Sequence, residues 1–190
     1  PGEKQAKVFL MMSFLPCQVL VRRTVFEKAN GINPRHVVNL DGLLWFTLSL
    51  HADVAYIRDE VSIYRKHGEN TTAMYNRKID HMIEYYSTLS EMFRLAKGRT
   101  YIEKYFDDAV KRVAVLTVRY CHDVFLEKNY DLVKRFLNLA LVFDPGIIYD
   151  NNYRVLKFCA ESVQNDPQVL YNKLFDSEIG LRKHSYSPPE

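Results

Sequence analysis

Residues 39–72, NLDGLLWFTLSLHADVAYIRDEVSIYRKHGENTT, decide how the rest of the chain is read. After Asp41 and Gly42, the residues Leu43, Leu44, Trp45, Phe46, Leu48 and Leu50 leave almost no polar side. The run is too apolar for a helix lying on a surface and long enough for one enclosed on every side. It predicts a buried helix from about Asp41 to Ala52. An Asp at such a start accepts hydrogen bonds from the first unpaired backbone N–H groups, and the helix dipole favours its ionised form. Val54, Ala55, Tyr56 and Ile57 read as a short strand, Asp59 and Glu60 as a turn, and Val61 to Tyr64 as a second strand. That strand delivers Arg65, Lys66 and His67 to its far end before Gly68, Glu69 and Asn70 turn the chain.

Upstream, Gln18 to Val21 reads as a strand after Pro16. Thr24 and Glu27 have capping-box spacing and Gly31 is a stop signal, which predicts a two-turn helix from Thr24 to Asn30. Arg22 and Arg23 precede it, where a phosphate could be held or where both could simply be solvated. Residues 1–7 are polar and read as loose. Val8 to Phe14 is apolar, with Met11 and Met12 as adaptable core filling. Trp45 and Tyr56 read as core.

The order of an acidic residue opening an apolar helix with Trp45, then HADVAYI, then YRKHGENTT, resembles the end of the catalytic domain of family-2 glycosyltransferases, which have the GT-A fold. The upstream VRRTVFEKANGINPR is similar to their Arg-Arg-x-x-Phe-Glu-x-x-Gly-Gly-Phe-Asp segment. The resemblance spans residues 13–75 and implies a set of roles. Asp41 would be the general base that deprotonates the acceptor hydroxyl. Arg65, Lys66 and His67, with Arg22 and Arg23, would lie toward the diphosphate of a nucleotide-sugar donor. The acceptor would be a glycan or a lipid-linked glycan. A divalent metal, Mg or Mn, is implied for the parent enzyme, with no metal set within this chain beyond His67 as a candidate. Leu40 stands where the family has Glu, Leu43 where Asp is frequent, and Thr47 where Arg is frequent. A GT-A enzyme also needs a preceding nucleotide-binding half ending in Asp-x-Asp, a pattern this sequence lacks. The expectation is therefore the C-terminal piece of a longer enzyme, inactive alone.

Composition sets the wider frame. The 190 residues carry 26 Lys and Arg against 23 Asp and Glu, a net charge of +3 with the signs interspersed, so no basic face for nucleic acid is indicated. Cys17, Cys121 and Cys159 are far apart and lack Cys-x-x-Cys spacing, which indicates neither a disulfide framework nor a zinc site and makes a reducing cytoplasm the default. There is no signal peptide and no apolar run long enough to span a bilayer, which leaves the cytoplasm or the inner face of a membrane.

From Asn76 the pattern becomes helical. Ile79, Met82, Ile83, Tyr86, Leu89 and Phe93 predict one apolar face, stopped by Lys97 and Gly98. A single long helix is predicted through Ile102, Phe106, Ala109, Val110, Val113, Leu116, Tyr120, Val124 and Phe125. Asn129 caps a third, with Leu132, Val133, Phe136, Leu137, Ala140 and Leu141, that stops at Asp144-Pro145-Gly146. A fourth runs from about Ile148 to Val163, and Asp166 with Pro167 starts a last short one.

The predicted fold is α+β and mostly helical: 1–75 as a small β/α portion of a GT-A domain, 76–178 as an antiparallel helical bundle, and 179–190 as a disordered tail. A second functional class fits the same residues, a helical module for a partner protein or for oligomerisation, with a transferase-like scaffold that has lost its chemistry. The departures at Leu40, Leu43 and Thr47 favour it.

Overall fold

In the computed structural model, residues 1–10, 14–59, 62–63, 78–162 and 166–174 are described. Met11, Met12, the segment containing Arg65, Lys66 and His67, the expected boundary at 75/76 and the expected tail at 179–190 lie outside them. The described chain is mostly helical: α1 (Gly2–Phe9), α2 (Arg23–Lys28), α3 (Leu40–Ser49), α4 (Ile79–Leu95), α5 (Thr100–Glu103), α6 (Phe106–Leu126), α7 (Tyr130–Phe143), α8 (Asn151–Glu161) and α9 (Pro167–Leu174). Short 3₁₀ turns cover Pro16–Gln18 and Pro145–Tyr149. Two compact units divide inside α4 and α6. The first takes the described part of 1–75 with 83–109, and the second takes 78–82 with 110–174.

The first unit is built around α3, whose Leu43, Leu44, Trp45, Phe46, Leu48 and Ser49 are all buried. A helix apolar on every side is stable only when enclosed. α1 supplies one wall, with Ala6 and Phe9 buried as it packs on α3. The expectation of a loose N-terminal segment is overturned here, because α1 docks through Gly2. Its N–H donates to Asp53 Oδ1 at 2.8 Å, and a Cβ at Gly2 would collide with the carbonyl oxygens of Ser49 and Ala52. Trp45 Nε1 donates to the Phe14 carbonyl at 2.8 Å, and Phe14 meets Phe9 edge-on at 5.4 Å.

Among the described residues there is no strand. Gln18 closes a 3₁₀ turn and Val19 is extended but joins no ladder. Residues 54–57 are outside any ladder as well, and Val54, Tyr56 and Ile57 are 42%, 58% and 59% exposed. A strand needs a paired backbone and usually one buried face. This segment has neither, so the small β/α element is not what the apolar letters form, and Tyr56 is not core. Nor is α2 capped by Thr24: it starts one residue earlier, and Glu27 is taken by Arg23 Nε at 2.7 Å. Its end is a Schellman turn in which Gly31 N–H reaches the Phe26 carbonyl and Asn30 N–H that of Glu27, with Asn30 in the left-handed region at φ 60°.

Two further differences concern the long helices. In α4 the buried positions are His81, Met82, Thr88, Leu89 and Met92, while Ile83 and Tyr86 are exposed. Met82 and Leu89 of the expected apolar face are thus inside, while Thr88, partnered by His36, takes a buried place that the apolar pattern does not give it. The predicted continuous helix through Ile102 to Phe125 is broken at Lys104 and Tyr105, where Tyr105 N–H turns back to the Ile102 carbonyl at 2.9 Å.

In the second unit α7 packs on α8 and α8 on α9. The caps are those the sequence indicates: Asn129 Oδ1 accepts from Leu132 N–H at 3.2 Å and Asp166 Oδ1 from Gln168 N–H at 2.8 Å. Asp150 caps α8, with Oδ1 accepting from Tyr153 N–H at 2.9 Å. The core joins Phe125 to Tyr171 at 4.7 Å and to Tyr130 at 5.4 Å between ring centres. Gln168 Nε2 locks α9 there by donating to the Phe125 carbonyl at 2.8 Å.

Cys121 and Cys159 are buried beside these rings. Burial pushes the Cys121 thiol up to about 12 and raises that of Cys159, whereas Cys17 is exposed. Thiolates, not thiols, react. Cys17 alone should therefore be modified by an aromatic disulfide reagent in the native protein, with all three reacting in denaturant. Prompt native reaction of a second thiol would contradict this core.

Candidate functional site

Asp41 lies in the first turn of α3, one residue inside the helix, because Asn39 and not Asp41 occupies the N-cap position. Its side chain is half-buried. Oδ1 accepts the Gly42 N–H at 2.7 Å, which fixes how the carboxylate leaves the helix. Gly42 is required by a close approach: a Cβ there would come within 2.5 Å of Asn39 Oδ1, and Asn39 is buried. The absent side chain thus makes room for the residue that starts the helix.

The loop before α3 is fastened to α4 by two polar contacts one helical turn apart. Glu84 Oε1 accepts the N–H groups of Val37 at 2.6 Å and Val38 at 2.5 Å. Thr88 Oγ1 lies 2.9 Å from His36 Nδ1, with both residues buried. At the next turn Arg94 grips Glu91 through Nε and Nη2 at 2.6 and 2.7 Å. That fork holds the Glu91 carboxyl below the usual range, and His36 and Arg35 lower it further. Charge-assisted bonds to consecutive amides are among the stronger polar contacts a protein makes. They fix the path by which the chain reaches Asp41.

The other sequence-indicated residues are placed as follows. Arg22 is the N-cap residue of α2 and Arg23 its first residue; both are exposed, and Arg23 is paired with Glu27. The three departures from the family pattern are absorbed by packing: Leu43 is in the core, Leu40 is half-buried, and Thr47 Oγ1 donates to the Leu43 carbonyl at 2.8 Å. Arg65, Lys66 and His67 are outside the described residues. Among the described residues no group of three or more His, Cys, Asp or Glu side chains is placed to hold a metal ion. No helix among them is long and apolar enough to cross a membrane.

His36, Glu84 and Thr88 are the site residues that sequence reasoning missed. Glu84 and Thr88 share one face of α4 at a spacing of four, and that spacing was the available signal. No protein-family model, curated protein or solved structure matches this chain.

Replacing Glu84 by Ala should cost about 1.5–3 kcal/mol in stability, the range for hydrogen bonds to a charged group. Amide hydrogen exchange should rise at Val37 and Val38 first. Unchanged protection of those two amides would show that the fastening is not held in solution.

Proposed function

We propose that this chain is the acceptor-side, C-terminal part of a family-2 glycosyltransferase with a helical extension, acting in synthesis of a polysaccharide or other glycoconjugate. The observation that carries the reading is the placement of Asp41: a carboxylate at the N-terminal end of an enclosed helix, still half exposed, with its approach loop fastened on both sides of the backbone turn. The positive end of the helix favours the ionised form, which is the form a base needs. Asp41 would take the proton of an acceptor hydroxyl as that oxygen attacks the sugar. Arg22, Arg23, Arg65, Lys66 and His67 would stand toward the donor diphosphate. A divalent metal, held mostly by residues outside this chain, would neutralise the leaving diphosphate when bound.

Leu40 and Thr47 do not carry the acidic and basic groups that the family pattern has at those positions. A single positioned carboxylate suffices for general-base work provided its geometry is held. Here α3 and the Glu84 fastening would provide that.

A second reading is a helical interaction module, favoured by the exposure of Val142, Tyr149 and Phe158 on α7, the following 3₁₀ turn and α8. Large exposed apolar side chains on successive elements are the usual raw material of a protein interface.

The two readings separate on turnover. The full-length parent protein should release nucleoside diphosphate from one member of a nucleotide-sugar panel when acceptor is present, and Asp41→Asn should lower that rate by about 10²- to 10⁴-fold. A parent that turns over none of the panel, or an Asn variant at the wild-type rate, removes the transferase reading.

A further inference from the structure

His36 is a buried titratable side chain to which the transferase reading assigns no role. It is 7% exposed, and its Nδ1 lies 2.9 Å from the hydroxyl oxygen of Thr88, which is fully buried in the middle of α4. Either group can donate in such a pair, and the surroundings decide which one does. Among the described residues Thr88 Oγ1 has no second hydrogen-bond partner, not even the carbonyl one turn back that Thr47 and Thr117 use. A buried hydroxyl proton without an acceptor is costly. The Thr88 O–H therefore donates to Nδ1, and the neutral ring carries its own proton on Nε2.

A proton that arrives at Nδ1 turns this contact round. The ring then donates, Thr88 Oγ1 accepts, and the hydroxyl proton is left without an acceptor inside the first unit. The charged groups around the ring do not reverse that cost. On α4, Glu84 is engaged by the Val37 and Val38 amides, and Glu91, which feels the charge of His36, is gripped first by Arg94. On the loop itself, Arg35 adds a like charge beside a protonated ring. The sole ionisable side chain of α3, into which the loop runs, is Asp41, and its Oδ1 receives the Gly42 N–H.

We propose that His36 and Thr88 form a pH-sensitive latch on the loop that leads into α3. The neutral ring, protonated at Nε2, holds residues 36–38 against α4, and protonation at Nδ1 releases them. The closed latch excludes a proton that the open one accepts, so acid favours the open form. Imidazole is the side chain whose charge ordinarily changes between about pH 5 and pH 8, which puts the release in that window. The latch stands on α4 and its loop and does not depend on the transferase reading.

The test uses the full chain, labelled with ¹⁵N. In the neutral ring of His36, Nδ1 should resonate as an unprotonated acceptor and Nε2 as the protonated nitrogen. Amide exchange at Val37 and Val38, taken relative to an unstructured peptide at the same pH, should then speed up by about tenfold to a hundredfold as the ring gains its second proton. Working above about pH 5 keeps clear of the range in which carboxylates ordinarily titrate. Amides in the middle of α7 should keep their protection throughout. In His36→Asn the amide oxygen replaces Nδ1 as acceptor and cannot titrate, so Val37 and Val38 should stay protected at both ends of the range. Thr88→Ser keeps the hydroxyl and should keep the pH dependence. A neutral ring protonated on Nδ1 overturns the latch, as does a ring that stays neutral down to about pH 5. So does protection at Val37 and Val38 that ignores the titration, that falls together with α7, or that falls equally in His36→Asn.

Discussion

A ten-residue helix with no polar side has to be surrounded, and the first unit is organised to surround α3. Each large side chain it buries contributes about 1.5–3 kcal/mol relative to leaving that side chain in water. The same enclosure creates a cost, since any polar atom carried inside must find a partner there. Ser49 Oγ gives its proton to the Phe46 carbonyl at 2.6 Å, and Trp45 Nε1 gives its own to Phe14. The tryptophan bond explains why residue 14 is tied to the core although it belongs to no helix. Enclosure also explains why α1 exists: its sequence is mostly polar, but Ala6 and Phe9 close one side of α3.

The two ends of α3 are treated differently. At the C-terminal end the backbone of Gly2 is pressed against the last carbonyls, and Asp53 receives its N–H. His51 sits just beyond, with its pKa lowered by loss of solvent first and then by Lys28 and Arg99. The N-terminal end is left with a half-exposed Asp41 and a loop held from outside by Glu84 and Thr88. One end is thus closed by the backbone of Gly2 and the other by the side chains of Glu84 and Thr88.

How much of this was legible depends on how local the cause is. The burial of α3, the caps at Asn129 and Asp166 and the stop after α2 are decided by residues within a few positions of one another, and each reads correctly or nearly so. The strand reading of 54–57 fails because alternation and apolar content say nothing about whether a partner ladder exists. The face of α4 reads correctly at Met82 and Leu89 but not at Ile83 and Tyr86, for a related reason. Counting Ile83 and Tyr86 as inward assumes that apolar residues take the buried face, whereas Thr88 and His81 occupy it, and the partner of Thr88 is His36, 52 residues earlier. The loop 36–38 looks ordinary in sequence because its backbone donors are visible and their acceptor is not. The same holds for α1, whose only local cues are the Glu3 and Lys7 spacing and a lone Phe9.

The position of Glu84 bears on what the helical half of the chain is for. Residues 36–42 carry the acid and its approach, but the oxygen that receives the Val37 and Val38 amides comes from α4, and residues 83–109 cluster with the first unit. Two consecutive N–H groups left without an acceptor would each have to turn to water, and a loop that exchanges one for the other loses its fixed path. The start of α3 is therefore specified jointly by its own sequence and by a helix more than forty residues downstream. A helical extension that serves only as a scaffold would touch the earlier segment through apolar packing, which tolerates substitution of similar volume. One that reaches back with a carboxylate onto a named pair of amides is selective about geometry. In the first unit α4 thus fixes the path of the loop that leads into α3.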